Sequence, residues 1–249
     1  MKKLLLLLII FNSLLLAQDK TTSEFFDMLY VDRQPSTKIE SMGRSGVATY
    51  DEMFSVFYNP ALISNINGLS VSSSMVSPYS FLDDSKFSFI GIGYTLKKKL
   101  SFGLSMYNYT GGKMEETTIE YPDGTGKYIQ SESNDYRFTI SFSPARAFSF
   151  GISGKYVSSN TFDALMSKEI EEGYDMDIGI HQIVAVSRNR NFKQRTSIGI
   201  SFTNVFSADI GDYKLPRIMN TGVNFSFIPR VGTIIPQINT VLFTFIGEY

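Results

Sequence analysis

Large apolar and small polar residues alternate along most of this chain. In the stretch 135–143, Tyr136, Phe138, Ile140 and Phe142 interleave with Arg137, Thr139, Ser141 and Ser143. Successive side chains of a strand point to opposite faces, so such a segment has one bulky apolar face and one small or polar face. The pattern recurs. Leu100, Phe102, Leu104 and Met106 oppose Ser101, Gly103 and Ser105, and Phe148, Phe150 and Ile152 oppose Ser149, Gly151 and Ser153. Ile198, Ile200 and Phe202 oppose Ser197, Gly199 and Ser201, and Val223, Phe225 and Phe227 oppose Asn224 and Ser226. The periodicity predicts strands near 68–76, 87–97, 100–109, 135–143, 147–158, 174–187, 195–206, 217–228 and 238–249.

A soluble sandwich alternates too, because one face packs and the other is wet. Two features point instead to an antiparallel transmembrane β-barrel. The segments run about ten residues, enough to cross a bilayer when tilted, whereas ordinary strands average nearer five or six. The connections also alternate in length. Those at 97–99 and 143–147 are short, while 110–134, 160–173 and 207–216 are long and polar. Short turns on one side and long loops on the other are the asymmetry of outer-membrane barrels. Aromatics near strand ends (Tyr107, Tyr109, Tyr136, Phe148, Tyr156, Tyr174) are placed to form interfacial girdles. The predicted fold is therefore all-β, with about 9–10 strands present. An odd count conflicts with the even number of single-chain bacterial barrels, so the expectation is a sheet that does not close within these residues.

Composition refines this picture. Residues 1–17 pair a short basic start, Met-Lys-Lys, with an apolar run ending at Ala17, the pattern of a secretory signal peptide. No later apolar run approaches the length of a spanning helix. There is no Cys, which excludes disulfides and a lipoprotein acyl anchor. The net charge is -1 and the mean hydropathy is -0.02. Such a charge balance argues against a nucleic-acid partner. The 21 Phe and 14 Tyr fit aromatic-rich barrel walls.

Residues 18–67 break the pattern. Gly43 and Gly46 interrupt the segment upstream, and Asn59-Pro60-Ala61 stops an aromatic run containing Met53, Phe54, Val56, Phe57 and Tyr58. Pro60 pushes Asn59 out of helical geometry, and the Asn59 side chain is suited to bond a neighbouring backbone group. The segment is too apolar for a solvated leader and too broken for a strand. The expectation is an N-terminal hatch that plugs the lumen, with residues 68–249 supplying the strands.

The run Ser41–Ser64 resembles the N-terminal hatch of FadL-like outer-membrane proteins, including the PorV/PorQ branch. Met42, Gly43, Gly46, Val47, Ala48, Asn59, Pro60 and Ala61 match the hatch motif. Ser41, Arg44 and Ser45 depart from it. The stretches at 174–180 and 197–227 look like later strands of the same family. The resemblance implies a barrel of fourteen strands, of which this chain would be a truncated part. It implies residence in the outer membrane of a Gram-negative bacterium, in contact with outer-membrane lipid. It implies a role in protein export and surface attachment (type IX secretion), with exported proteins as partners. The alternative is a passive channel for small hydrophobic compounds. Under that alternative Phe81, Leu82, Phe162, Leu165 and Met166, apolar residues in predicted outer loops, are candidate receivers of a ligand.

Candidate chemistry is sparse. Asp177 and the single histidine, His181, share a strand face but stand about 13 Å apart. That is too far for the direct contact of an acid-base pair. One His and no Cys make no transition-metal site without carboxylates brought from afar, and no cofactor is expected. Glu169, Glu171, Glu172, Asp209 and Asp212 read as solvated loop charge, and residues 122–126 as a hairpin turn. The expectation is a protein that is not an enzyme.

Overall fold

The computed structural model describes residues 35–77, 85–97, 99–115, 117, 119–122, 124–145, 147–162, 168–188, 192–210, 213–229 and 245–248. The signal peptide expected at 1–17, and Phe81, Leu82, Leu165, Met166 and Asp212, lie outside them. The described chain is mostly antiparallel β. A short α-helix, Thr37–Ser41, and two 3₁₀ helices, Glu52–Phe57 and Pro60–Asn65, come first. The strands β1 (Leu69–Val76), β2 (Lys86–Leu96) and β3 (Leu100–Thr110) follow. Then come β4 (Met114–Glu115), β5 (Tyr128–Ile129), β6 (Glu132–Ala145), β7 (Phe148–Phe162), β8 (Lys168–Arg188) and β9 (Phe192–Thr203). The last are β10 (Asp209–Ile210), β11 (Tyr213–Lys214), β12 (Ile218–Pro229) and β13 (Phe245–Glu248). No described helix is long and apolar enough to cross a membrane, which says nothing of strands.

Nine of the strands form one sheet in the order β1-β2-β3-β6-β7-β8-β9-β12-β13, every neighbour antiparallel. The sheet is a half-barrel. Its ends are β1 and β13, which do not pair with each other among the described residues, and β13 covers only Ile218–Thr221 of β12. The small hairpins β4/β5 and β10/β11 sit within the two longest described connections. The turn expected at 122–126 falls in the β4–β5 connection, where Gly124 N donates to Tyr121 O.

The alternation has the expected physical result. One face is covered by residues 35–67. On it Thr139, Ser141, Ser153 and Ser201 have no exposure, and Ser101 and Ser149 are equally buried or nearly so. The other face is bare, with Phe138 49%, Phe142 48%, Ile152 38%, Ile198 40% and Phe202 41% exposed. A soluble sandwich would bury that face against a second sheet. The hydrophobic core lies instead between the covered face and the N-terminal segment, around Met53, Val56, Ile63, Ile66, Phe87, Phe89, Tyr107 and Val157.

Three expectations need correction. Tyr107 and Tyr109 do not join an outer aromatic row. They share the parity of Ser101 and Gly103, and both stack on Phe87 over the covered face. The stretch 160–173 is mostly not a loop. β7 and β8 pair as far as Phe162 and Lys168, which places Phe162, Glu169, Glu171 and Glu172 in the ladder. The stretch 207–216 is not wholly a solvated outer loop either. Ile210 and Leu215 are 1% and 2% exposed and join the core, although Asp209 in its hairpin remains exposed.

Candidate functional site

The N-terminal segment is built from local signals. Ser36 caps the first helix by accepting from Ile39 N, and its hydroxyl donates to Asp51 Oδ2 at 2.5 Å. Asp51 also takes Lys38 Nζ at 3.1 Å. Met42 closes the helix and Gly43 turns the chain at φ +68°, a left-handed conformation that glycine adopts without a steric cost. Gly46 serves close packing instead, because a Cβ there would sit 2.4 Å from the Tyr58 ring. The Tyr58 hydroxyl accepts from Ser36 N and so ties the two ends of the segment together.

Asn59 is the pivot. Its backbone is extended, at φ -161° and ψ 108°, as the following proline demands. Its Oδ1 accepts from Ala61 N at 3.0 Å, capping the second 3₁₀ helix, which starts on Pro60. Its Nδ2 donates to Val47 O at 2.8 Å and to Ile180 O at 3.0 Å, with Ile200 O at 3.4 Å. One buried amide thus joins both halves of the segment to β8 and β9. Of the residues matching the hatch motif, Gly46, Asn59, Pro60 and Ala61 are buried, whereas Met42 is half-buried and Gly43 exposed.

The sheet is shaped to receive this turn. A Cβ on Gly151 would lie 2.3 Å from Pro60 C, one on Gly179 2.0 Å from Asn59 Oδ1, and one on Gly199 2.1 Å from Val47 O. Gly151 and Gly179 are direct partners across β7 and β8. Around this glycine floor, short side chains satisfy the segment's backbone. Ser141 Oγ donates to Ala61 O and Ser197 Oγ to Ala48 O, both at 3.1 Å, and Ser74 Oγ donates to Pro35 O at 2.7 Å. Met53 N donates to Ser72 Oγ at 3.2 Å. The small-residue face visible in the sequence is therefore a seat for one particular chain path.

Beside the seat lies a buried ionic network that the sequence did not reveal. Arg137 makes a bidentate pair with Asp135, at 2.9 and 2.6 Å, and reaches Asp177 Oδ2 at 2.8 Å. Lys155 Nζ meets Asp177 Oδ1 at 2.9 Å and also bonds Asn204 Oδ1. The Arg137 guanidinium stands 4.3 Å from the centroid of the Phe57 ring. One strand step away, Asp175 accepts from Phe206 N and Ala208 N, both at 2.9 Å, which pins the 204–217 connection down. The signal for this cluster was three acids and two bases with covered-face parity. Only the register brings them together.

Asp177 is thus engaged by Arg137, Lys155 and Asn204 N, and it forms no pair with His181. His181 is 2% exposed, and its Nε2 meets no hydrogen-bond partner among the described residues. No group of three potential metal ligands occurs among the described residues.

Cavities lie on both faces, and a further open one of about 1040 Å³ lies in the β3–β6 connection by Thr117, Tyr121 and Lys127. On the covered side, a pocket of about 230 Å³ adjoins Pro35, Glu40, Ser74 and Phe87, and one of about 70 Å³ adjoins Arg137, Lys155 and Asn204. On the bare side, an open apolar groove of about 810 Å³ runs across the strands by Ile90, Leu104, Phe138 and Gly154. Its edge carries the row Tyr136, Tyr156 and Tyr174, with ring centroids 6.1 and 5.1 Å apart. No family model matches this chain, and no curated protein matches it.

Proposed function

We propose that this chain is an outer-membrane β-barrel protein of the FadL-like family, PorV/PorQ branch. Its bare face would meet lipid, its N-terminal segment would be a lumen hatch, and it would act in protein export and surface attachment. The observation carrying this reading is how the segment is seated. Asn59 is fully buried and bonded to the backbones of two strands, on a floor where three glycines leave no room for a Cβ.

Several features support the membrane part. Phe148 to Tyr156 spans about 26 Å along β7, which at the usual strand tilt covers about 20 Å of depth, most of the roughly 25 Å apolar band of outer-membrane barrels. The tyrosine row at the upper end of that span suits an aromatic girdle. The seating supports a plug more than a conduit. The cavity between segment and sheet by Pro35 and Phe87 holds about 230 Å³, below the roughly 300 Å³ at which drug-sized ligand pockets begin. A plugged barrel presents its loops to a partner, which fits handing exported proteins to a surface machine.

The test compares two assays on the same protein. Photo-crosslinkers in the 111–131 connection should capture secreted proteins in the native outer membrane, while proteoliposomes should take up no labelled fatty acid above a protein-free control. Rapid uptake with no captured protein would replace this reading with the hydrophobic-compound channel.

A further inference from the structure

The sheet order places the β2–β3, β6–β7 and β8–β9 turns at one end and the β1–β2, β3–β6, β7–β8 and β9–β12 connections at the other. Their charges differ in kind. Among the described residues of the short-turn end, from 96 to 100, from 142 to 148 and from 186 to 194, the charges are those of Lys97, Lys99, Arg188 and Lys193, with no Asp or Glu. At the opposite end the described connections carry both signs, with Glu115, Glu120 and Asp209 beside Lys113, Lys127 and Lys214. Mixed surface charge is the ordinary state of a protein end, and an end of one sign marks electrostatic complementarity to something of the other.

We infer that the short-turn end is a cationic rim that binds the headgroups of anionic phospholipids. The inference rests on the membrane reading above and adds a lipid preference to it. Three observations carry it. Lys97 and Lys99 are exposed, and they flank the turn between the apolar bare-face residues Leu96 and Leu100. Lys97 holds φ +48°, a position that favours glycine or asparagine, yet a lysine occupies it. Arg188 and Lys193 are cross-strand partners at the foot of β8 and β9, just past the exposed Val186. Cations bordering an apolar face suit a membrane surface, where the stem lies along acyl chains and the charge reaches phosphate. An acidic protein would match the charge but not the apolar face that the rim borders.

The experiment uses the full chain reconstituted into phosphatidylcholine bilayers containing spin-labelled phosphatidylglycerol or spin-labelled phosphatidylcholine. The ratio of their association constants should be several-fold in favour of phosphatidylglycerol at low salt and fall toward one in 0.5 M salt, because exposed charges are screened. The triple variant Lys97→Gln, Lys99→Gln, Lys193→Gln should lower the ratio at low salt while inserting as well as the parent. A ratio of one in a protein whose strands are protease-protected by the bilayer overturns this inference alone. A chain that inserts into neither bilayer overturns the membrane reading and this one together. Lysine-dependent binding of polyglutamate without a phosphatidylglycerol preference overturns it in favour of an acidic protein partner.

Discussion

At the residue scale the seat depends on one amide. Asn59→Ala removes the donor to Val47 O and Ile180 O and the acceptor for Ala61 N, leaving buried groups unpaired at a cost of roughly 2–3 kcal/mol. Asn59→Asp keeps the shape but aims an oxygen at carbonyl oxygens, so it should cost more than alanine. Because the chain has no cysteine, a single fluorophore on Ser41→Cys reports release of the segment in urea. The midpoint should fall for Ala and further for Asp, and a parental midpoint for both would remove Asn59 from its role. The seat should also fail in alkali. Burial, helped by Glu52 and Asp51, pushes the Tyr50 phenol up to about 12. Burial also raises Tyr58, reinforced by Asp51 and Glu40, against the opposing bond from Ser36 N. Released phenols ionise near their ordinary value of 10, whereas seated ones keep their protons. The stabilisation is therefore complete below pH 10 and is lost as pH rises from 10 through about 12. The same fluorophore should show release in that window, and the Tyr50→Phe, Tyr58→Phe double variant should move it to higher pH.

At the element scale two glycines on one strand make opposite predictions. A Cβ at Gly151 would strike the Pro60 and Ala61 backbone at 2.3–2.5 Å, whereas one at Gly154 meets nothing within 4 Å. Gly151→Ala should displace the Asn-Pro-Ala turn and lower the release midpoint by an amount comparable with Asn59→Ala. Gly154→Ala should leave it unchanged or slightly raised, since alanine suits a strand better than glycine. Equal effects would mean that the turn does not sit on β7. Strand parity, and with it this contrast, was legible in the sequence because one face alternates bulky residues with small ones. The tall β7–β8 hairpin was not legible. Around Glu169, Glu171 and Glu172 neither face is apolar, and backbone pairing alone continues the ladder. The 204–217 connection was not legible either. Its packing rests on Ile210, Leu215 and the carboxylate of Asp175, residues that show no local period.

At the scale of the whole molecule the question is whether the segment ever leaves its seat. The half-barrel has no second layer among the described residues except residues 35–67 and the tucked 204–217 connection, so the segment serves as core as well as cover. Its contacts run from β1 to β12, through Ser72 on one side and Asn224 on the other. Release would expose the Arg137–Asp177–Lys155 network and the apolar side chains around Met53 together. Exposing the apolar side chains around Met53 costs about 25 cal/mol per Å² of apolar surface, so opening is expensive unless a partner replaces the segment. A channel must open to conduct, while a scaffold need not. Ala61 O accepts from Ser141 Oγ at 3.1 Å, close enough to try an Ala61→Cys, Ser141→Cys pair in this cysteine-free chain. We expect the pair to oxidise, to stop urea-driven release of the fluorophore in a variant labelled at Ser41 through non-thiol chemistry, and to leave capture of exported proteins undiminished. Capture that is lost on oxidation and regained on reduction would show that the segment moves in function, and the plugged-scaffold reading would fall.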